Sequence, residues 1–484
     1  MGQPEVEPMR HVHFIGIGGT GMGSLAGLLS ARGIRVTGSD HALYPPMSTA
    51  LENWGIGVDE GFRAENVRDR SPDLVVIGNV VRSDNPEARE AIDSGLKYRS
   101  FSDALYELAM ADRHSIVVSG THGKTTTTNL CAYLLKAMGR DPSFLVGGIS
   151  LDFGGSFREG SGDHFVVEGD EYDTAFFDKT PKFLHYHPNT LIVTSVEFDH
   201  ADIYRDLDAV KSAFRTLISR MPPSGVIIAA GGHEGVRSVI EDAPCRVIRY
   251  GLESQSYADS FDFTAKEISA SEDGMDFRLA MRSEPSIQVK LPLFGRFNVE
   301  NTLGALAAVS SVGLSLTETA PLLSGFQGVK RRQEIRGEER GVVVIDDFAH
   351  HPTAVAGSIE ALKGRFPGRR LFAVFEPRTN TSRRRVFQKD YVQALKAADH
   401  VVVQRVAEAP IYSATGEVTD LFSVDELVAD LKKANVEASG YDGVDEIVIA
   451  LEAQLRAGDV VLVMSNGAFE NIWEKLLREL AQKS

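Results

Sequence analysis

Cysteine is almost missing from this 484-residue chain, which holds only Cys131 and Cys245. Two thiols can build neither a disulfide framework nor a thiolate zinc site, and their scarcity fits a reducing compartment. Both read as inert packing residues, as buried cysteine usually is. Long apolar runs are missing too: no stretch approaches the ~20 residues that cross a bilayer, which excludes a membrane-spanning helical protein. The opening segment Met1–Arg10 is polar, carries Glu5 and Glu7, and lacks the basic-then-apolar layout of a secretory signal, so the expected location is cytoplasmic. Excess positive charge is also absent. Against 67 acidic residues stand 51 lysines and arginines, a formal charge of −16, which opposes binding to nucleic acid or an anionic membrane and predicts neither as a partner. Any anionic ligand must therefore be gripped locally. Low-complexity segments, Pro-rich linkers and repeats of roughly 20–50 residues are lacking as well, so solenoids and disordered arms are excluded. Nothing points to an obligate protein partner.

What is present is ordinary for a multidomain enzyme: 43% hydrophobic and 24% charged residues, with a length that predicts roughly three domains at about 150 residues each. Three times a short β-branched run meets glycine or a carboxylate and then a helical pattern, the signature of α/β units. These runs are His11–Ile17, Ser115–Ser119 and Gly341–Ile345. Each is expected to open its own sheet and to carry a functional loop at its carboxyl end. The expected division is 1–112, 113–333 and 334–484, with Arg331-Arg332-Gln333-Glu334 at the second joint. Between about 245 and 292 the pattern alternates, as in Phe261–Glu267 and Asp276–Met281, which predicts an antiparallel addition to the middle domain.

The second run enters Gly120-Thr121-His122-Gly123-Lys124-Thr125, followed by helical spacing over Thr126–Met138. This is the layout of a phosphate-binding loop. Backbone N–H groups at a helix start receive the anion, Lys124 reaches the β- and γ-phosphates, and the Thr125 hydroxyl can ligate Mg²⁺. The common spacing would put the first glycine at 118, where Val118 stands. The plainer alternative is a glycine turn capped by threonines, but strand, glycines, lysine and threonine in that order favour ATP.

The first run enters Gly16-x-Gly18-x-x-Gly21, with Asp40 ending the next strand. Alone, this fits an NAD-dependent dehydrogenase, yet it states only that a diphosphate can lie at a helix start, and the diphosphate of a UDP-sugar satisfies the same geometry. A dehydrogenase leaves the Lys124 loop unexplained. Two more apolar strands, at Val166–Glu168 and Leu191–Val196, deliver Glu168 and the group Glu197-Phe198-Asp199-His200. Carboxylate and hydroxyl oxygens suit Mg²⁺, and imidazole is a less usual ligand for it. Asp170, Glu171 and Asp173 read equally as site residues or as a solvated acidic loop, and stay outside the predicted site.

The variant loop GTHGKTTTT resembles the Mur ligases, and companion passages extend the resemblance from His11 to about Leu477. They are Tyr44–Thr49, Tyr172–Lys179, Glu197–Ile203, Asp346–Thr353, Glu376–Thr381 and Met464–Gly467. The resemblance implies a three-domain Mur ligase architecture: a Rossmann-like UDP-binding domain, a central P-loop ATPase domain and a C-terminal Rossmann-like α/β domain. It implies UDP-sugar contacts at Gly18, Gly19, Thr20, Met22, Asp40 and Asn79, and ATP contacts at Gly120, Thr121, His122, Gly123, Lys124, Thr125, Thr126, Asn298, Asn301, Arg332, Asp347 and His350. Thr125 and Glu168 would hold one Mg²⁺ and His200 a second, with Lys124, His200 and Arg332 acting in catalysis. Arg378, Asn380 and Asn466 are the acceptor candidates. Phe297 replaces the family's usual histidine, and Arg215 stands where sister ligases carry a carbamylated lysine, so no carbamate is expected.

By the same resemblance, the carboxylate of UDP-N-acetylmuramate would be phosphorylated by ATP and then joined to an amine. The matching passages favour the tripeptide L-alanyl-γ-D-glutamyl-meso-diaminopimelate as acceptor over free L-alanine, the alternative. A non-catalytic nucleotide sensor is a third reading, set against the fact that every matched catalytic position is filled. In the insert Tyr172–Tyr186, Phe176, Phe177, Lys179 and Lys182 are expected to make room for a longer acceptor and to meet its carboxylates.

Overall fold

The computed structural model describes residues 9–282, 284–405, 411–413 and 416–482. Each of the three β-branched runs becomes an interior strand, because a strand flanked by helices on both faces buries both sets of side chains. The first sheet is parallel throughout, in the order Gly57–Glu60, Arg35–Asp40, His11–Ile15, Leu74–Ile77, Tyr98–Ser100. Its period of two is visible in the packing. Val12 and Phe14 enter one apolar cluster, while Ile15 enters another with Val75 and Ile77.

The central sheet has ten strands among the described residues. Its parallel heart runs Arg246–Leu252, Val226–Ala230, Thr190–Val193, His114–Ser119, His164–Gly169, Ser143–Ser150. At one end Phe263–Ala270, Met275–Met281 and Glu284–Leu291 form the expected antiparallel addition. At the other end, Gly155–Arg158 turns back antiparallel on Ser143–Ser150, a hairpin the sequence pattern did not reveal. That hairpin joins two domains. Helix Thr20–Ala31 of the first domain lies against it: Ser24 and Ser156 hydroxyls meet at 2.6 Å, and a Cβ at Gly27 would run into the Phe157 ring. This contact helps bury Met22 through Leu29 continuously and merges the two domains into one apolar cluster.

The third sheet, Glu334–Glu339, Val342–Asp347, Val460–Met464, Leu371–Phe375, His400–Gln404, Glu437–Tyr441, is parallel except for its first strand. Its two faces carry separate cores, with Val343 and Ile345 in one and Val342 and Val344 in the other. The segment read as a bare joint therefore continues directly into an antiparallel edge strand, which the charges of Glu334–Glu339 concealed. Among the described residues no helix is long and apolar enough to cross a membrane.

Candidate active site

The phosphate loop lies between strand His114–Ser119 and helix Lys124–Ala137, which starts two residues earlier than the apolar spacing indicated. Its glycines are dictated by space and by backbone angle. Gly123 has φ +81° and a Cβ there would strike Asn301 Oδ1; one at Gly120 would strike Thr194 Oγ1. Neighbouring loops fix the rest. Thr121 N–H donates to Ser195 O at 3.1 Å, His122 N–H to Ser195 Oγ at 2.9 Å, and Glu197 N–H to Thr121 Oγ1 at 2.9 Å. The N–H groups opening the helix lack intrahelical acceptors, as helix starts must, and make an anion cradle. Thr126, also assigned to ATP, is buried in the helix's first turn.

Lys124 Nζ donates to Gly120 O and to Glu171 Oε2, each at 2.8 Å, and lies 3.9 Å from Asp170. Glu171 is 3% exposed, and its Oε1 is 3.4 Å from His200 Nε2. Burial works against its ionisation, yet the Lys124 and His200 charges hold the carboxyl down at about 2. Burial likewise works against His200, whose imidazole Glu171 holds up at about 9. Glu171 thus joins the loop lysine to the predicted metal histidine, a role that the sequence pattern does not single out. Its signal was position: it follows a strand-end carboxylate by three residues, where a solvated loop and a buried ion pair look alike in one dimension. His200 sits at φ +50°, a strained setting for a histidine. Tyr204 O–H donates to Glu171 O at 2.5 Å and ties the two segments together.

Glu168 accepts Gly147 N–H at 2.9 Å. Burial and the adjacent Asp170 charge push its carboxyl up to about 7, so a cation placed here would relieve an unfavourable negative site. Thr125 Oγ1 accepts from Arg332 Nη2 at 3.1 Å. The Thr125 hydroxyl and the Glu168 carboxylate are hard oxygen donors that fit Mg²⁺, whereas His200, already facing Glu171, is the less natural partner for so hard an ion.

Arg332 comes from the second joint, and the third domain follows it onto the loop. Phe348 N–H donates to Arg331 O at 2.9 Å, Ala201 N–H to Thr381 Oγ1 at 3.2 Å, and Asn380 Nδ2 to Asp202 Oδ2 at 3.2 Å. Asn380 therefore reaches Asp202, two residues after His200, while Arg378 is exposed and packs closely over Gly467. Asn466, next to it in sequence, keeps a buried Oδ1 without a hydrogen-bond partner. Asp347 is buried, with its oxygens taken by Gln333 N–H and Ala349 N–H, both at 2.8 Å, so it braces the joint. His350 Nδ1 faces Phe348 O at 3.0 Å.

Asn298 and Asn301 lie buried under the loop: Asn301 Nδ2 donates to Asn298 Oδ1 at 3.2 Å, and Asn298 Nδ2 to Phe294 O at 2.8 Å. Phe297 packs against Gly357 of the third domain. In the first domain, Gly18 N–H donates to Asp40 Oδ2 and His41 N–H to Asp40 Oδ1, each at 2.7 Å, so Asp40 stitches the turn to the strand end. Gly19 and Thr20 stand exposed at the crest, Asn79 is half-buried, and the Met22 side chain belongs to the core, leaving only its backbone for a ligand. The insert differs from expectation. Its hairpin turns Phe177 onto Tyr98 of the first domain, ring centroids 5.2 Å apart, with Phe176 against the same edge, and Lys179 pairs with Asp173 at 2.6 Å. Apolar rings pack on the nearest apolar surface, and Phe177 does so while keeping an exposed face. Lys182 alone turns inward, 3.7 Å from Asp170 and 4.1 Å from the Tyr172 ring centre.

Residues 11–113 match the Mur ligase family catalytic domain, residues 118–309 the Mur ligase middle domain, and residues 331–467 the Mur ligase glutamate ligase domain. The chain is 37% identical to the UDP-N-acetylmuramate–L-alanyl-γ-D-glutamyl-meso-2,6-diaminoheptandioate ligase of Escherichia coli, covering 98% of this chain and 99% of that one. It is 32% identical to the UDP-N-acetylmuramate–L-alanine ligase of Acetivibrio thermocellus, over 97% and 96% of the two chains. The crystal structure of a murein peptide ligase from Psychrobacter arcticus is similar with a TM-score of 0.72 at 34% identity, covering 98% of this chain and 99% of that one.

Proposed function

The chain belongs to the Mur ligase family, and from that premise we propose that it joins the carboxylate of UDP-N-acetylmuramate to the amine of L-alanyl-γ-D-glutamyl-meso-diaminopimelate. The reaction consumes ATP, releases ADP and phosphate, and serves peptidoglycan recycling in the cytoplasm. A carboxylate is a poor acylating group at neutral pH. Phosphorylation by ATP gives an acyl phosphate, and the amine then attacks the acyl carbon, expelling phosphate and forming the amide.

In this reading half-buried Gly18 and the exposed crest at Gly19 and Thr20 receive the UDP diphosphate, with Asp40 holding the turn. The loop N–H groups cradle the ATP phosphates, and Lys124 and Arg332 meet the charge that spreads over the transferring phosphoryl group. Glu171 orients Lys124 and His200 from beneath. Thr125 and Glu168 are the groups that would hold Mg²⁺, which when bound neutralises phosphate charge. A dehydrogenase would leave this constellation without a purpose.

The tripeptide acceptor rests on full-length similarity, 37% to a ligase named for that acceptor against 32% to one named for L-alanine. An acceptor panel assayed for ADP release with UDP-N-acetylmuramate present tests it. The tripeptide should exceed L-alanine by at least about tenfold in kcat/KM, about 1.4 kcal/mol. Equal or better use of L-alanine moves the acceptor assignment to the amino acid.

A further inference from the structure

Beside the Lys124–Glu171–His200 constellation, three ligating side chains from separate segments converge. His122 comes from the phosphate loop, Glu197 from the loop after strand Thr190–Val193, and His351 from the N-cap of helix Pro352–Arg365 in the third domain. His122 Nε2 is 3.4 Å from Glu197 Oε2, His351 Nδ1 is 3.8 Å from the same oxygen, and all three ligand atoms lie within 4.8 Å of one another. A tetrahedral ion bonded at 2.0–2.1 Å sets its ligand atoms about 3.3 Å apart. The two edges to Glu197 are already close to that.

The side chains are also oriented by their neighbours, and a cation at His351 Nδ1 would displace the Thr353 N–H that this side chain caps. His351 Nε2 faces the Phe198 carbonyl at 3.2 Å, the backbone contact that fixes a metal-binding histidine's tautomer and leaves Nδ1 as the acceptor. Thr353 N–H approaches that Nδ1 at a long 3.3 Å, and Thr353 Oγ1 donates to Glu197 Oε2 at 2.6 Å, which orients the carboxylate. His122 Nε2 is shut off from solvent without a hydrogen-bond partner. The other comparable cluster among the described residues, Asp103, Asp178 and His185, differs on this point: its imidazole is engaged on both nitrogens, by Asp103 at 2.7 Å and Thr180 at 2.9 Å.

We propose that His122, Glu197 and His351 form a binding site for a zinc-type divalent transition-metal ion, distinct from the Mg²⁺ ligands Thr125 and Glu168. Two imidazoles and one carboxylate, with a fourth position open, suit Zn²⁺ and are a poor set for Mg²⁺, which prefers oxygen. An ion held there tethers the phosphate loop to the third domain.

The test uses the full chain, stripped of metals and kept in millimolar Mg²⁺. Zn²⁺ affinity is read by competition with a chromophoric chelator, and Co²⁺ is added separately for its visible absorption. One equivalent of Zn²⁺ should bind, and Co²⁺ should show ligand-field bands of a nitrogen-and-oxygen site. His351→Asn keeps a side chain able to cap the helix and should weaken Zn²⁺ binding at least about tenfold, as should Glu197→Gln, with melting curves confirming that both variants fold. His200→Ala should leave the affinity unchanged. No binding above the Mg²⁺ background overturns the site, and so does binding that survives His351→Asn but is lost in His200→Ala.

Discussion

Lys124 Nζ and Glu171 Oε2 are 2.8 Å apart at the foot of the phosphate loop, and the carboxylate's other oxygen is 3.4 Å from His200 Nε2. One buried anion therefore orients two cationic groups from different segments. Lys124→Ala is expected to slow ADP release about 10²- to 10³-fold, the usual loss when a positioned donor to developing charge is removed. Calorimetric UDP-sugar binding should be unaffected, because the site proposed for that ligand is on the first domain. Glu171→Gln preserves shape and removes charge, so it should lower kcat by roughly tenfold or more at saturating ATP. Wild-type turnover in both variants would remove the loop from the chemistry.

Glu168 is held up at about 7 by burial and by Asp170, a setting that a divalent cation offsets. Glu168→Gln should move the Mg²⁺ dependence of ADP release to higher concentration, by about tenfold or more. An unshifted Mg²⁺ curve places the metal elsewhere.

Gly123 combines φ +81° with a Cβ position that collides with Asn301 Oδ1. Gly123→Ala should cost about 1–3 kcal/mol through the backbone alone and should depress ATP binding and the thermal midpoint together. Adding Asn301→Ala relieves the collision but not the angle, so only part of the loss should return. Full recovery in melts of the double variant would show that the angle is immaterial.

His185 Nδ1 meets Asp103 Oδ1 at 2.7 Å and clamps the insert to the first domain. Against the effect of burial, that contact and Ser100 lower the Asp103 carboxyl below its ordinary 3.8. A depressed carboxylate stabilises the fold above its unfolded value and loses that contribution as pH falls through the folded one. His185→Ala should therefore lower the urea midpoint at mildly acidic pH, with the gap closing as pH falls below about 3.8. A gap that persists unchanged well below that pH would assign the clamp to some other group.

Local pattern carried a great deal of this. The strand–glycine–lysine–threonine order placed the phosphate loop, because a helix start with small residues has few other uses, and β-branched runs marked the interior strands of all three sheets. Glu168 and His200 were legible because each ends a strand or follows one. Partnership was not. Asn301 under Gly123, Phe177 on Tyr98 and Arg332 on Thr125 join residues 178, 79 and 207 positions apart in sequence, and nothing in local spacing encodes which of many equivalent side chains will meet.

The sequence by itself determined the family, the chemistry and the glycine-rich loop proposed to grip phosphate, since glycine, lysine and β-branched residues act through short-range backbone geometry and hydrophobic period. Only the tertiary structure decided the electrostatics. Whether Asp170 and Glu171 are a solvated loop or a buried hub depends on how much water the surrounding segments exclude. Tyr204, Lys124 and His200 close over Glu171, and an acid that looked like surface becomes the charge on which the site is organised.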